Sequence, residues 1–394
     1  MCICNDSLHI SVEETAMPSV TNREMNQISF QNVYQLLYQK GPLTKQDICR
    51  LVNISRPTAT QYLGQLLQAN KVYIEGKRKE LHGRPAYLYC FNPNACISIG
   101  VEVMVNKVKI AAVNLLGKIE KRETIHLAFI NSDSYFQHAS SWIKLFMDSL
   151  NMPTENILGL TISFQGIVAR DNEHVSFSKL LTNAPFSKSD FSKYFDSPVY
   201  LVHDAEMGAV AEIWHYSQIT NGIYLSLNPY LGSGLIVNRT VVHTPDLSSG
   251  AIEHMILHEN GELCYCGKRG CADSYCSVNA LERSAGKGID ALFEGIRNGL
   301  SEDKRTWENY LWELAALIDN VRMVFPGDVI LGGLLSQYMC EEDATSLKSM
   351  VKQLSAFKDA PFDIYVGHYG SDASLVGSAL MKISEYCQKE GLKS

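Results

Sequence analysis

The first 20 residues show no apolar period, and they read as a flexible tail. From Ile28 the pattern changes: Ile28, Val33, Leu36 and Leu37 recur at helical spacing, and Gly41-Pro42 stops the run. Thr44 stands where an N-cap belongs, ahead of a second helix through Leu51. After Val52-Asn53-Ile54, Ser55 caps a third helix with Pro57 in its first turn. Ile48, Leu51, Ile54, Ala59, Leu63, Leu66 and Leu67 supply a small core for the three. Val72–Ile74 then reads as a strand, Glu75–Arg84 as a charged turn and Ala86–Tyr89 as the returning strand. Over residues 21–92 this order predicts a winged helix-turn-helix.

Beyond residue 92 strands and helices alternate, the pattern of an α/β fold. Ile97–Val103 and Lys107–Val113 predict a hairpin of buried strands, followed by Ile157–Ser163 and Val199–Val202. A second hairpin opens at Gly222–Leu227 and returns through Gly234–Val237. The two halves begin alike, which points to a duplicated unit with lobes over roughly 93–215 and 216–394. Leu311–Phe325 has helical spacing closed by Pro326-Gly327, and Asp372–Leu380 reads as a final helix.

Charge sharpens this division. The chain carries −7 overall, yet Thr21–Cys90 holds ten Lys/Arg against four Asp/Glu. A basic module joined to an acidic body is what a protein needs when one part meets phosphates and the other does not. In a recognition helix, short polar groups and donors belong at the N-terminal end. Ser55, Arg56, Pro57, Thr58, Thr60 and Gln61 form that set, with Thr44 opening the preceding helix. In the wing, Lys77, Arg78 and Lys79 suit backbone phosphates, and Gly83-Arg84 suits a minor groove. No run is apolar and long enough to span a bilayer, no secretory signal is evident, and 11 unevenly spaced cysteines do not read as a disulfide scaffold. A cytoplasmic protein with mostly reduced thiols is expected.

One stretch has metal-ligand character. Cys264, Cys266 and Cys271 lie in a short run with glycines at 267 and 270, and His254 is ten residues upstream. Zinc takes four such ligands in a tetrahedron, and a site filled by protein on all four positions is structural. Free thiols, a disulfide, or ligation by His258 or Cys276 are the alternatives.

Pro42–Ile48, Asn53–Thr58 and Gly83–Leu88 resemble the N-terminal module of ROK-family regulators, and the likeness continues from Pro93 to near the C-terminus. The resemblance implies an actin-like, hexokinase-like body of two lobes around a cleft, with a zinc motif at 254–271. It also implies lost kinase chemistry. The kinases carry Asp-x-Gly-Gly-Thr on the first hairpin, where this chain has Glu102-Val103-Met104-Val105-Asn106. Their second phosphate loop begins Gly-Thr-Gly; here Asn228-Pro229-Tyr230-Leu231-Gly232-Ser233-Gly234 brings a proline that lacks a donor and a tyrosine that fills space.

On the sugar side the resemblance assigns Asp204, His254 and Asp273 to ligand contact, with Ser178 and Asn183 contributing from a following loop. Ala251 replaces a sugar-contacting glutamate and Glu253 occupies a glycine position. The expected function is a DNA-binding transcription regulator, a repressor of carbohydrate-metabolism genes that is not an enzyme. It would bind operator DNA as a homodimer or homotetramer and respond to a sugar or sugar-phosphate. The alternatives are a sugar kinase with an N-terminal appendage and a regulator controlled by a protein partner.

Overall fold

The computed structural model describes residues 22–78, 85–168, 173–177, 180–181, 186–243 and 250–392. It separates into two units, the chain up to Asn92 (with Glu390–Lys393) and Pro93–Lys389.

The first unit runs α1 (Asn22–Lys40), β1 (Leu43–Thr44), α2 (Lys45–Val52), α3 (Arg56–Gln68), β2 (Val72–Arg78) and β3 (Ala86–Phe91). α1 begins six residues before the apolar period does, and Val33, Tyr34 and Leu37 on it pack with Ile48, Ala59, Tyr62, Leu63 and Leu66. These side chains fill the core, so Leu51 stays 45% exposed, contrary to its sequence assignment. A reciprocal capping box starts α2: the Thr44 hydroxyl accepts from Asp47 N, and the Asp47 carboxylate accepts from Thr44 N. Asn53, at φ +58°, ends the helix in a left-handed turn. The hairpin gains an unanticipated third strand, because Leu43 and Thr44 pair with Tyr89 and Leu88.

In the second unit, the first lobe holds β4 (Ile97–Val103), β5 (Val108–Asn114), β6 (Ile119–Ile125), α4 (Asp133–Asp148) and β7 (Ile157–Phe164). A small sheet of β8 (Ile167–Val168), β9 (His174–Phe177) and β10 (Phe186–Ser187) follows, then α5 (Ser189–Ser192) and β11 (Val199–His203). The main sheet has the order β11-β7-β4-β5-β6. α6 (Asp204–His215) leads into β12 (Gly222–Leu227), β13 (Leu231–Val237) and β14 (Thr240–Val241). After α7 (Asp273–Cys276), α8 (Val278–Ala285), α9 (Ile289–Arg297) and α10 (Ser301–Val324) come β15 (Asp328–Gly332), α11 (Glu341–Leu354), β16 (Ile364–Val366) and α12 (Ala373–Glu390). This sheet runs β14-β13-β12-β15-β16.

Each half therefore places its first strand centrally, two antiparallel strands on one side and two parallel strands on the other. The duplication read from the two hairpins is a duplication of topology. β4 and β5 are buried along their whole length, as expected of strands covered on both faces. α6 seats on β13. A Cβ at Gly232 would lie 2.9 Å from Ala205 Cβ, and one at Gly234 would lie 2.8 Å from Ala209 Cβ. Both glycines belong to β13, not to a loop, and their lack of side chain admits the helix.

Candidate metal centre, cleft and nucleic-acid interface

His254 ends a short 3-10 turn, Ile252–His254, whose Ile252 is buried in the apolar core of the second lobe. The cysteines follow on a knuckle held by backbone bonds: Cys264 N donates to Lys268 O (2.8 Å), Gly270 N to Glu262 O (2.8 Å) and Ala272 N to Met255 O (2.8 Å). Gly267 and Gly270 have φ of +91° and +79°, which side chains rarely adopt, and a Cβ on Gly270 would collide with His258 O. The knuckle brings a ring nitrogen of His254 and the three Sγ atoms within 4.8 Å of one another. Cys264 Sγ lies 3.7 Å from His254 Nδ1, and Cys266 Sγ lies 3.7 Å from Cys271 Sγ.

A zinc tetrahedron with Zn–S near 2.3 Å has sulfur–sulfur edges of about 3.8 Å, whereas a disulfide needs about 2.05 Å. The group therefore has the dimensions of a metal site and not of a disulfide. Of the alternative ligands, His258 pairs with Glu313 (Nε2 to Oε2, 2.7 Å), and Cys276 lies outside the group.

Near this centre His203, Asp204, Glu253 and Asp273 are gathered, the group that the resemblance places at the cleft. His203 closes β11 and Asp204 opens α6, with His203 Nε2 3.3 Å from Asp204 Oδ1. Burial pushes the Asp204 carboxyl up to about 6; His203 opposes the shift and Glu102 adds to it. Burial likewise takes Asp273 to about 6 and Glu253 to about 7, with Asp273 and Asp204 adding to the shift at Glu253. Asp273 Oδ1 accepts from Leu231 N at 2.8 Å, so one carboxylate oxygen already holds the β12–β13 turn. That turn is tighter than the sequence implies: Leu227 pairs with Leu231, leaving only residues 228–230 outside the strands. Ser178 and Asn183 lie outside the described residues.

Glu102, which adds to the shift at Asp204, faces Lys109 across β4 and β5. Lys109 Nζ lies 3.3 Å from Glu102 Oε2 and 3.6 Å from Asp372 Oδ1, and donates to Ser371 O at 2.6 Å. Arg122 also pairs with Asp372. Glu102 and Lys109 are both more than 90% buried.

In the first unit, α3 presents Arg56, Pro57, Thr60 and Gln61 as exposed residues behind the exposed cap Ser55. Ser55 Oγ accepts from Thr58 N (3.3 Å) and bonds Thr58 Oγ1 (2.7 Å), so both hydroxyls shape the helix start. Thr60 Oγ1 donates to Arg56 O and accepts from Lys45 Nζ at 3.0 Å. Thr44 corrects the sequence reading. It is fully buried with its hydroxyl spent in the capping box, so it positions α2 and cannot touch DNA. Arg78 lies within β2, 3.1 Å from Asp47 Oδ2, while Lys77 lies over the Tyr87 ring at 4.7 Å. Lys79, Gly83 and Arg84 lie outside the described residues.

The ROK family model matches residues 98–385. The chain belongs to the ROK family. A winged helix-turn-helix DNA-binding model matches residues 31–73, ahead of the ROK body. The xylose repressor of Caldicellulosiruptor bescii is 22% identical over 290 residues, 72% of this chain and 71% of that protein. The chain spans 65 to 71% of the length of the xylose repressors it matches. Among solved structures, a ROK family transcriptional regulator homologous to the Escherichia coli Mlc protein superposes with a TM-score of 0.68 at 20% identity. That match covers 93% of this chain and 98% of the other. A ROK glucokinase from Streptomyces griseus, solved with glucose and AMPPNP, gives 0.62 at 19% identity over 72% of this chain and 98% of that one. The body thus has the actin-like, hexokinase-like fold expected from the resemblance.

Three features of the ROK body and its head went unassigned in the sequence reading. Glu253 faces the same charges as Asp204 and Asp273; the signal was a carboxylate directly beside a half-buried histidine. The Lys109–Asp372 contact joins residues 263 positions apart and left no local trace. Lys45 meets Thr60 across two helices, and only its place in a basic stretch hinted at it.

Proposed function

We propose that this chain is a DNA-binding transcription regulator, a repressor of carbohydrate-metabolism genes whose kinase-like body binds a sugar or sugar derivative without phosphorylating it. The observation that carries the reading is the head. A capped α3 offers Arg56 and Gln61 with exposed side chains that make no hydrogen bond among the described residues, the free donors a major groove requires. The family of named repressors that this chain resembles supports the same assignment.

Loss of phosphoryl transfer is supported by the β12–β13 turn. It has only three residues, one of them Pro229, and its neighbouring glycines serve the seating of α6. Phosphate cradles need several free backbone N–H groups, and this turn has few to offer. The Lys109 Nζ is already committed to Glu102, Asp372 and Ser371.

His254, Cys264, Cys266 and Cys271 would hold a zinc ion, which would supply a fixed cross-link for the knuckle and no open coordination position. Ligand contact falls to Asp204, Asp273 and His254, and the cleft motion they report would alter the spacing of two DNA heads in a cytoplasmic homodimer or homotetramer on a symmetric operator. No helix among the described residues is long and apolar enough to cross a membrane.

Fluorescence anisotropy with DNA from upstream of the protein's own gene tests the reading. Arg56→Ala is expected to weaken binding by about 1–3 kcal/mol. A panel of pentoses, hexoses, amino sugars and their phosphates should include at least one that releases the DNA. Turnover in an ATP-coupled assay with the same sugars would instead establish a kinase.

A further inference from the structure

A cavity lies within the second lobe, between the knuckle, α7, α8 and α10. Its volume is about 310 Å³, and Asp204, His203 and Glu253 of the cleft do not line it. Every lining residue is polar or a tyrosine, with no aliphatic side chain among them. Such a lining is unusual in a small-molecule site, whose walls are mostly apolar. Two hydrogen bonds join lining residues, Glu262 N to Tyr275 Oη at 2.7 Å and Arg283 to Ser274 O, but most side-chain polar groups keep free capacity. Ser274 is only 6% exposed, yet its hydroxyl has no partner among the described residues, and the same holds for the Asn309 amide and the Glu262 carboxylate. Arg283 uses one nitrogen on Ser274 O at 2.6 Å and keeps its remaining N–H groups.

The charges nearly cancel. Glu262 and Glu313 face one guanidinium, and Glu313 is also held by His258 at 2.7 Å. A phosphate or other strong anion would meet two carboxylates. A neutral polyol meets none of these penalties: each hydroxyl donates and accepts, carboxylates take its protons, and Arg283 and Asn309 give to its oxygens. Tyr275 and Tyr310 add aromatic surface to the lining, with one face of Tyr310 already stacked on Trp307. The volume stands at the lower end of the roughly 300–1,000 Å³ typical of ligand sites, room for one ring.

We propose that this cavity is a monosaccharide or cyclic polyol site separate from the cleft, and that its occupancy is felt at the cleft through α7. Ser274 and Tyr275 lie on α7. That helix opens with Asp273, the carboxylate that holds Leu231 N, two residues after Cys271. A ligand bridging Ser274, Arg283 and Asn309 fastens α7 to α8 and α10 and steadies the β12–β13 turn from behind.

Calorimetry on the full chain with D-glucose, D-xylose and myo-inositol tests the proposal, using wild type, Asp204→Ala, Asn309→Trp and Ser284→Tyr. Asn309 and Ser284 are exposed and stand on different helices, so either bulky side chain blocks the cavity without entering the core. The Asp204→Ala protein is expected to keep binding at least one probe, and adding Asn309→Trp or Ser284→Tyr should weaken that binding roughly tenfold or more. Hydrogen exchange over residues 271–285 should slow with the probe. If Asp204→Ala removes all binding, if both blocking variants bind as wild type does, or if no form binds any probe, the proposal is overturned. Loss of binding in the blocking variants with no effect of Asp204→Ala would uphold it and remove the cleft from the proposed function.

Discussion

In the first half of the body, the Glu102–Lys109 pair stands one step behind the β4–β5 turn, and Lys109 also reaches Asp372, just ahead of α12, which pairs with Arg122 as well. In the second half, the turn from β12 to β13 is framed by Leu227 and Leu231, and an uncharged donor, Leu231 N, fixes it to Asp273 on the metal-ligand side. The sheets behind these hairpins have one topology. The braces in front of them have different chemistry, so agents that disturb one should leave the other standing. A buried ion pair is sensitive to loss of either partner, since the survivor is stranded in a low-dielectric site. A metal knuckle is sensitive to the ion and indifferent to distant charge.

The largest expected effect is on the second half. Cys266→Ser, or exhaustive chelation, should lower stability by roughly 4 kcal/mol or more, because loss of a bound metal belongs with the most damaging single changes. Metal analysis and hydrogen exchange check it: exchange should rise over residues 254–277, with little change at residues 97–114. Equal rises in both hairpins would end the contrast. Next comes Lys109→Met, which strands the buried Glu102 carboxylate while Asp372 keeps Arg122, and should cost about 3–5 kcal/mol in thermal or urea unfolding. Its exchange signature should be the reverse, at residues 97–114.

The smallest effect concerns Asp204, which stands where α6 joins the halves. Its carboxyl is at about 6 in the fold against an ordinary 3.8. Below pH 3.8 it is protonated in both states. Between the two values only the folded state keeps the proton, so its contribution is greatest in acid and declines as pH rises towards 6. Asp204→Asn should flatten that decline and stabilise the protein at pH 7 by on the order of 1–3 kcal/mol. Urea titrations from pH 4 to 7 would decide it, and an unchanged pH slope would show that Asp204 is not buried in solution.

The fold class was readable because its signals are local and periodic. Apolar strands, capped helices and the order helix, helix, helix, hairpin pointed to a winged head and an α/β body before any coordinates. The His/Cys group that could hold a metal was readable for the same reason, with three of its four residues inside eight positions. What escaped depends on distance or on rivalry between roles. Thr44 satisfies both a cap and a DNA-contact pattern, and burial chose the cap. Leu51 looks like core by its spacing, yet Val33, Tyr34 and Leu37 of α1 occupy the interior and Leu51 stays exposed. Lys109 and Asp372 meet only because the chain returns to β4 of the first lobe at α12, long after β5 in sequence.

Gly232 and Gly234 suggest why such a body keeps the look of a kinase. A methyl group at either position would press on Ala205 or Ala209 and push α6 off its sheet. Selection for nucleotide binding could lapse entirely and these positions would still be closed to every larger residue. A glycine pair of this kind records how two elements fit together, and by itself it is no sign of phosphate chemistry.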